Sequence, residues 1–204
     1  PVEGKPTQRR LGVGTMLGLL AICFTLTYLG NYLGQLVNTI IGTITGEPPA
    51  NELQELTMSS PLWTNLLFCG ILAPIMEEIF YRKVLIDRLR HFGDLPAVLI
   101  SGVVFGLIHG NFYQFFYASM LGILLAFVYT KTGRVRYCIL IHMCVNFIGG
   151  IIPTMLNNWL GYEDMMALMD NQEAVMLYIK DHFLAYLATM AYSFAQYGIA
   201  AAGV

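Results

Sequence analysis

Hydrophobic positions along this chain come in long runs separated by short polar stretches. The runs cover Leu11–Gly42, Pro61 to about Leu89, Pro96–Gly110, Phe112–Thr130, Tyr137–Ile152 and Phe183 to about Val204. A helix needs about 20 predominantly apolar residues to cross a hydrocarbon core roughly 30 Å thick. The pattern therefore predicts an all-α, polytopic transmembrane helix bundle of about six spans. The first run would be about 48 Å long at 1.5 Å per residue, so it must tilt or project beyond the lipid. Asn31, Gln35, Asn38 and Gly42 share one face of its second half. That part of the helix is expected to leave the lipid or to face the bundle. Gly14 and Gly18, Gly30 and Gly34, and the series Gly102, Gly106, Gly110 recur every four residues, a spacing that lets helix backbones approach closely.

Composition agrees with the runs. The chain is 56% hydrophobic and 12% charged, against about 25% charged in soluble domains. A net charge of −2 argues against a nucleic-acid partner. Ten of the eleven Lys and Arg residues fall in three places: the N-terminus with Lys5, Arg9 and Arg10, the 82–90 end, and the 131–136 stretch. Six alternating spans put all three on one side, and the positive-inside rule makes that side cytoplasmic in a multi-pass cell-membrane protein. The opposite segments, a loop over 43–60 and an acidic stretch over 153–181 with an interfacial helix near Tyr162–Ile179, carry only Lys180 among the basic residues. Trp63 and Trp159 suit an aromatic belt on that outer side. Residues 1–204 read as a single membrane-embedded domain. The chain begins with Pro and lacks a signal-peptide pattern, so it is expected to be a piece of a longer protein with further spans upstream.

Against this apolar background, Glu77 and Glu78 stand out at the edge of the second run. An ionisable residue in a span costs roughly 2.5–3.5 kcal/mol on insertion scales and marks a functional site by default. On a helix, Glu78 and Arg82 sit at i and i+4 with the acid N-terminal, the favourable order for an ion pair. Glu77 points about 100° away and has no such local partner. One carboxylate is expected to be structural and the other free for chemistry. His109 closes the third run, and His142 and Asn146 form an i,i+4 pair in the fifth. Singly, each is ordinary helix-to-helix glue. Depths measured from the basic ends at ~1.5 Å per residue nevertheless allow the four to share one cavity.

The chemistry of these groups suggests hydrolysis without a covalent nucleophile. A carboxylate out of bulk water acts as a general base near neutral pH, and a histidine beside it can hold the same water. A second His with an Asn can donate to a developing oxyanion. The sequence contains no G-x-S-x-G elbow and no H-E-x-x-H. Cys23, Cys69, Cys138 and Cys144 lie within apolar runs, with no zinc-knuckle or redox spacing.

The motifs E-E-x-x-x-R at Glu77–Arg82, F-x-x-x-H at Phe105–His109 and H-x-x-x-N at His142–Asn146, in this order, resemble the CPBP family (also called Abi). Its members include type II CAAX prenyl endopeptidases and bacterial bacteriocin-processing and self-immunity proteins. The stretch His109–Tyr117 and Lys131-Thr132-Gly133 are also similar to bacterial members, and the likeness spans about residues 61–150. The resemblance implies a glutamic intramembrane protease without cofactor or metal. Glu77 with His109 would activate water, His142 with Asn146 would form the oxyanion hole, and Glu78 with Arg82 would orient the site. The implied partners are a peptide or lipid-modified protein substrate and the bilayer. Two other readings stand beside it: zinc held by Glu77, His109 and His142, and a non-catalytic membrane interaction protein such as an immunity factor or a sensor-kinase partner.

Overall fold

The computed structural model describes residues 10–204, so Lys5 and Arg9 of the expected basic N-terminus lie outside the described residues. Every regular element among the described residues is helical. Four helices are long and apolar enough to cross a membrane: α1 (Val13–Thr45), α3 (Leu62–Phe92), α5 (Phe112–Thr132) and α6 (Val135–Leu160). Between them lie α2 (Glu52–Ser59) and the shorter apolar α4 (Asp94–Leu107). Beyond α6 follow α7 (Tyr162–Ala167), α8 (Gln172–Asp181) and α9 (Phe183–Ala201). At 14 residues α4 is only about 21 Å long, and the 19-residue α9 is not among the four long apolar helices. Large apolar side chains such as Leu29, Phe68, Met76 and Phe194 point outward from the bundle, as lipid-facing surfaces require.

The start of α1, the end of α3 and the junction of α5 with α6 meet at one end of the bundle. The Leu11 backbone N–H donates to the Tyr137 hydroxyl at 3.2 Å, tying the start of α1 to the start of α6. The Tyr129 hydroxyl donates to Asp87 at 3.0 Å, joining the end of α5 to the end of α3. Cys23, Ile86, Leu125, Cys138 and Ile141 form the main core between these ends. At the opposite end, the Tyr113 hydroxyl donates to the Pro49 carbonyl at 3.0 Å.

The segment expected to be a loop over 43–60 contains α2. Asn51 caps it by accepting from the Gln54 backbone N–H at 3.3 Å, and Glu52 and Glu55 occupy its first turn, where they complement the helix dipole. The expected interfacial helix near Tyr162–Ile179 is two helices, because the chain turns between α7 and α8.

Glycines set the spacing of α1, α4 and α5. A Cβ at Gly106 would come within 2.6 Å of the Phe115 carbonyl oxygen, one at Gly102 would meet the Ile123 backbone N at 2.6 Å, and one at Gly34 would meet the Phe112 carbonyl oxygen at 2.5 Å. Small residues allow this approach in lipid, where packing replaces the hydrophobic effect between helices. The same spacing at Gly14, Gly18 and Gly110 meets nothing within 4 Å.

Two helices widen into π turns, and in each of them one widened turn is followed by a proline. In α3 the π segment is Leu66–Leu72, with Ala73 N–H bonded to the Phe68 carbonyl five residues back. The next such bond would run from residue 74 to Cys69, but Pro74 has no N–H to give. In α6 the π segment is Phe147–Ile151, Ile152 N–H bonds Phe147, and Pro153 leaves Ile148 in the same position. Both orphan carbonyls are satisfied by side chains from other helices, as the absence of water in a bilayer demands. The Asn146 amide donates to Cys69 at 2.8 Å. Gln196 and Tyr192 donate to Ile148 at 2.6 and 2.7 Å.

Candidate active site

The site is built on α3 where it passes from its short α-helical segment Ala73–Glu78 into a second π segment, Ile79–Ile86. Glu78 and Arg82 project into the bundle and are completely buried. Arg82 donates through Nε and Nη2 to the two Glu78 oxygens at 2.8 and 3.1 Å, a bidentate pair as the i,i+4 spacing predicts. Its remaining Nη1 donates to Ser101 Oγ at 3.0 Å, and Ser101 donates to the Tyr81 carbonyl at 2.9 Å. The Phe105 ring lies 5.1 Å from the guanidinium carbon, adding a cation–π contact. A buried arginine thus has every face of its fork occupied.

His142 links this pair to Glu77. Its Nδ1 is 3.0 Å from Glu78 Oε1, and its Nε2 is 3.7 Å from Glu77 Oε2. The imidazole is nearly buried, with 4% of the side chain exposed, whereas Glu77 exposes 31%. Glu78 accepts from Arg82 on both oxygens, so it meets the ring as an acceptor and the Nδ1 side carries the proton. Glu77 is the reachable carboxylate, and Nε2 is the ring atom that faces it.

His109 lies just past the end of α4, in a turn that closes at Gly110 with φ of +69°. The expected third run, Pro96–Gly110, therefore ends as a helix at Leu107. His109 Nδ1 is 2.8 Å from the Phe105 carbonyl oxygen. A carbonyl only accepts, so Nδ1 carries the proton and the neutral ring leaves Nε2 as an acceptor. The His109 and His142 rings both pack edge-on against Phe105, at centroid separations of 5.1 and 5.7 Å. Asn146 sits one turn beyond His142 on α6 and spends one amide proton on the Cys69 carbonyl.

Of the six residues singled out in the sequence, Arg82, Glu78, His142 and Glu77 are linked in series by direct contacts. His109 reaches His142 through Phe105, and Asn146 reaches α3 through a backbone carbonyl. His142 lies beside Glu77, with Nε2 3.7 Å from Oε2. Ser101 was not anticipated, although a serine in an apolar run four residues before Phe105 is a visible signal. Among the described residues, no group of three His, Cys, Asp or Glu side chains is arranged to hold a metal ion. The four cysteines are free thiols.

Fold and site together define a polytopic membrane helix bundle organised around a buried carboxylate–histidine–arginine cluster. Residues 59–148 match the family described as "Type II CAAX prenyl endopeptidase Rce1-like", which shows the resemblance carried by the three motifs over that part of the chain. The chain is 32% identical over 82 residues to the Bacillus subtilis (strain 168) protein named "Putative membrane peptidase YdiL", covering 40% of this chain and 34% of that one. It is 30% identical over 101 residues to "UPF0177 protein YbdJ" of Lactococcus lactis subsp. lactis (strain IL1403), covering 49% and 44%. It is 28% identical over 88 residues to "Membrane-embedded CAAX protease MroQ" of Staphylococcus aureus (strain USA300), covering 40% and 36%. These matches span between a third and a half of the relatives' own length. No solved structure matches the chain.

Proposed function

We propose that this protein is a metal-independent intramembrane endopeptidase that activates water with a glutamate and a histidine. The observation that carries the reading is the division between the carboxylates. Glu78 is fully buried and doubly bonded to Arg82, while Glu77 is partly exposed and faces the Nε2 of His142. The family match over residues 59–148 supports the same assignment.

In this reading Glu77 takes a proton from water, with His109 offering Nε2 as a second acceptor for that water. The oxygen attacks the scissile peptide carbonyl, and the tetrahedral oxyanion is held by the Nε2–H of a doubly protonated His142, whose Nδ1–H stays on Glu78, and by the amide proton of Asn146 not engaged with Cys69. Glu77 returns its proton to the amide nitrogen as the carbon–nitrogen bond breaks. The products are one carboxylic acid and one amine, and no group is oxidised or reduced. Glu78 and Arg82 fix the position of His142 and touch no substrate. Positioned acid–base groups of this kind contribute typically about 10²–10⁴-fold each, and an oxyanion donor roughly 10²–10³-fold. The basic end of the bundle is read as cytoplasmic, with the cut on that side of the membrane.

Glu77→Gln keeps the shape of the side chain and removes its charge. Reconstituted in liposomes with a peptide or lipid-modified protein substrate, this variant should lose hydrolysis while folding as the parent does. Full hydrolysis in the variant would eliminate Glu77 as the base, whereas a variant that folds normally and keeps its full biological effect without hydrolysis would leave a membrane interaction protein as the better account. Activity lost to a chelator and restored by zinc would instead select a metal-dependent mechanism.

A further inference from the structure

A cavity of about 870 Å³ lies at the end of the bundle opposite the basic stretches, walled by α1, α2, the start of α5, the Gly149–Asn157 part of α6 and Tyr197 of α9. Its volume is that of a pocket able to enclose a drug-sized ligand, roughly 300–1,000 Å³. The described residues that line it carry no charge. They include the amides of Asn31, Gln35, Gln54 and Gln114, and Asn31 and Gln35 belong to the polar stripe on the second half of α1. Amide side chains both donate and accept, which matches the alternating N–H and C=O of a peptide backbone. A prenyl or acyl chain in the same place would strip water from the side-chain amides of Asn31 and Gln35 and leave them unpaired, at roughly 1–3 kcal/mol each.

The cavity wall is bonded to the turn that carries His109. Asn111 donates to the His109 carbonyl at 2.9 Å and to Gln114 Oε1 at 2.8 Å, and Gln114 donates to the Tyr117 hydroxyl at 2.8 Å. Gln114 and Tyr117 both line the cavity, and Tyr117 keeps its own hydroxyl proton to give. On the other wall, Gly149 and Gly150 follow Asn146 by less than a turn and a half and present bare backbone.

We propose that this cavity binds an uncharged, extended segment of the polypeptide substrate by its backbone and leads it to the Glu77–His142 site, and that it excludes the lipid group of a lipid-modified substrate. The assignment rests on the endopeptidase reading above for its connection to catalysis, and its occupancy is measured separately. The full chain in liposomes carries p-benzoylphenylalanine in place of Tyr32, an exposed lining residue. The probe is a biotinylated pool of neutral decapeptides, with S-farnesylcysteine as competitor. Light should couple the peptide to the protein, with excess unlabelled peptide blocking the product and S-farnesylcysteine leaving it unchanged. Gln35→Leu and Gln54→Leu, with unchanged thermal midpoints, should each lower coupling roughly tenfold, the worth of one hydrogen bond. Equal competition by S-farnesylcysteine, coupling to phospholipid only, or coupling unaffected by both leucine variants would overturn the proposal. Glu77→Gln runs in parallel: retained coupling with lost hydrolysis supports both readings, and retained coupling with full hydrolysis removes only the catalytic one.

Discussion

Asn146 on α6 donates its side-chain amide to the backbone oxygen of Cys69 on α3, 77 residues earlier in the chain and 2.8 Å away. The bond exists because Pro74 cannot supply the N–H that a widened helix would direct at that oxygen. A residue expected to serve an oxyanion is therefore also a structural partner of the helix that carries Glu77.

Asn146→Leu should destabilise the bundle by about 1–3 kcal/mol, the cost of a buried unpaired carbonyl. Pro74→Ala, which restores an N–H, should reduce that loss. Unfolding of the two single variants and the double variant in detergent tests this, with a coupling of about 1 kcal/mol expected. Strictly additive effects would show that Pro74 and Asn146 do not act on the same oxygen.

Glu78→Gln should cost about 3–5 kcal/mol, because it leaves Arg82 buried without its counter-charge. The double variant Glu78→Leu, Arg82→Met should regain part of this stability, since no buried charge remains. Hydrolysis should stay low in the double variant, because His142 has lost the carboxylate at Nδ1. Denaturation midpoints and rates measured on the same preparations separate the two effects. Equal rate losses for Glu77→Gln and Glu78→Gln with unchanged stability in both would refute the division of labour.

Ser101→Ala removes the acceptor for the third guanidinium donor and the hydroxyl that caps the Tyr81 carbonyl. The expected loss is about 1.5–3 kcal/mol, the range for hydrogen bonds to a charged group. Ser101→Thr keeps both bonds at the expense of one methyl group and should lose less. A threonine variant as unstable as the alanine variant would point to packing as the cause.

Gly106→Ala forces a methyl group against the Phe115 carbonyl and should cost about 1–3 kcal/mol by pushing α4 from α5. Gly14→Ala, made at the same spacing but in open surroundings, should be neutral or slightly stabilising. Thermal unfolding of the two proteins side by side gives the comparison, and equal midpoints would contradict the packing argument.

The sequence by itself determined the features that depend on neighbours along one helix. Long apolar runs specify membrane helices because a backbone in lipid must satisfy its own hydrogen bonds. The i,i+4 spacing alone dictates that Glu78 and Arg82 pair, whereas α2 lies in a segment that reads as a loop by composition. Tertiary structure decided everything that crosses between helices. Nothing local states that His142, 64 residues from Glu78, turns one ring nitrogen to each carboxylate, or that Ser101 completes the bonding of Arg82. The same spacing of glycines packs tightly at Gly106 and meets open space at Gly14, because contact depends on whether another helix arrives there. Local periodicity fixes which face a residue occupies, and only the packing of the bundle fixes what that face meets.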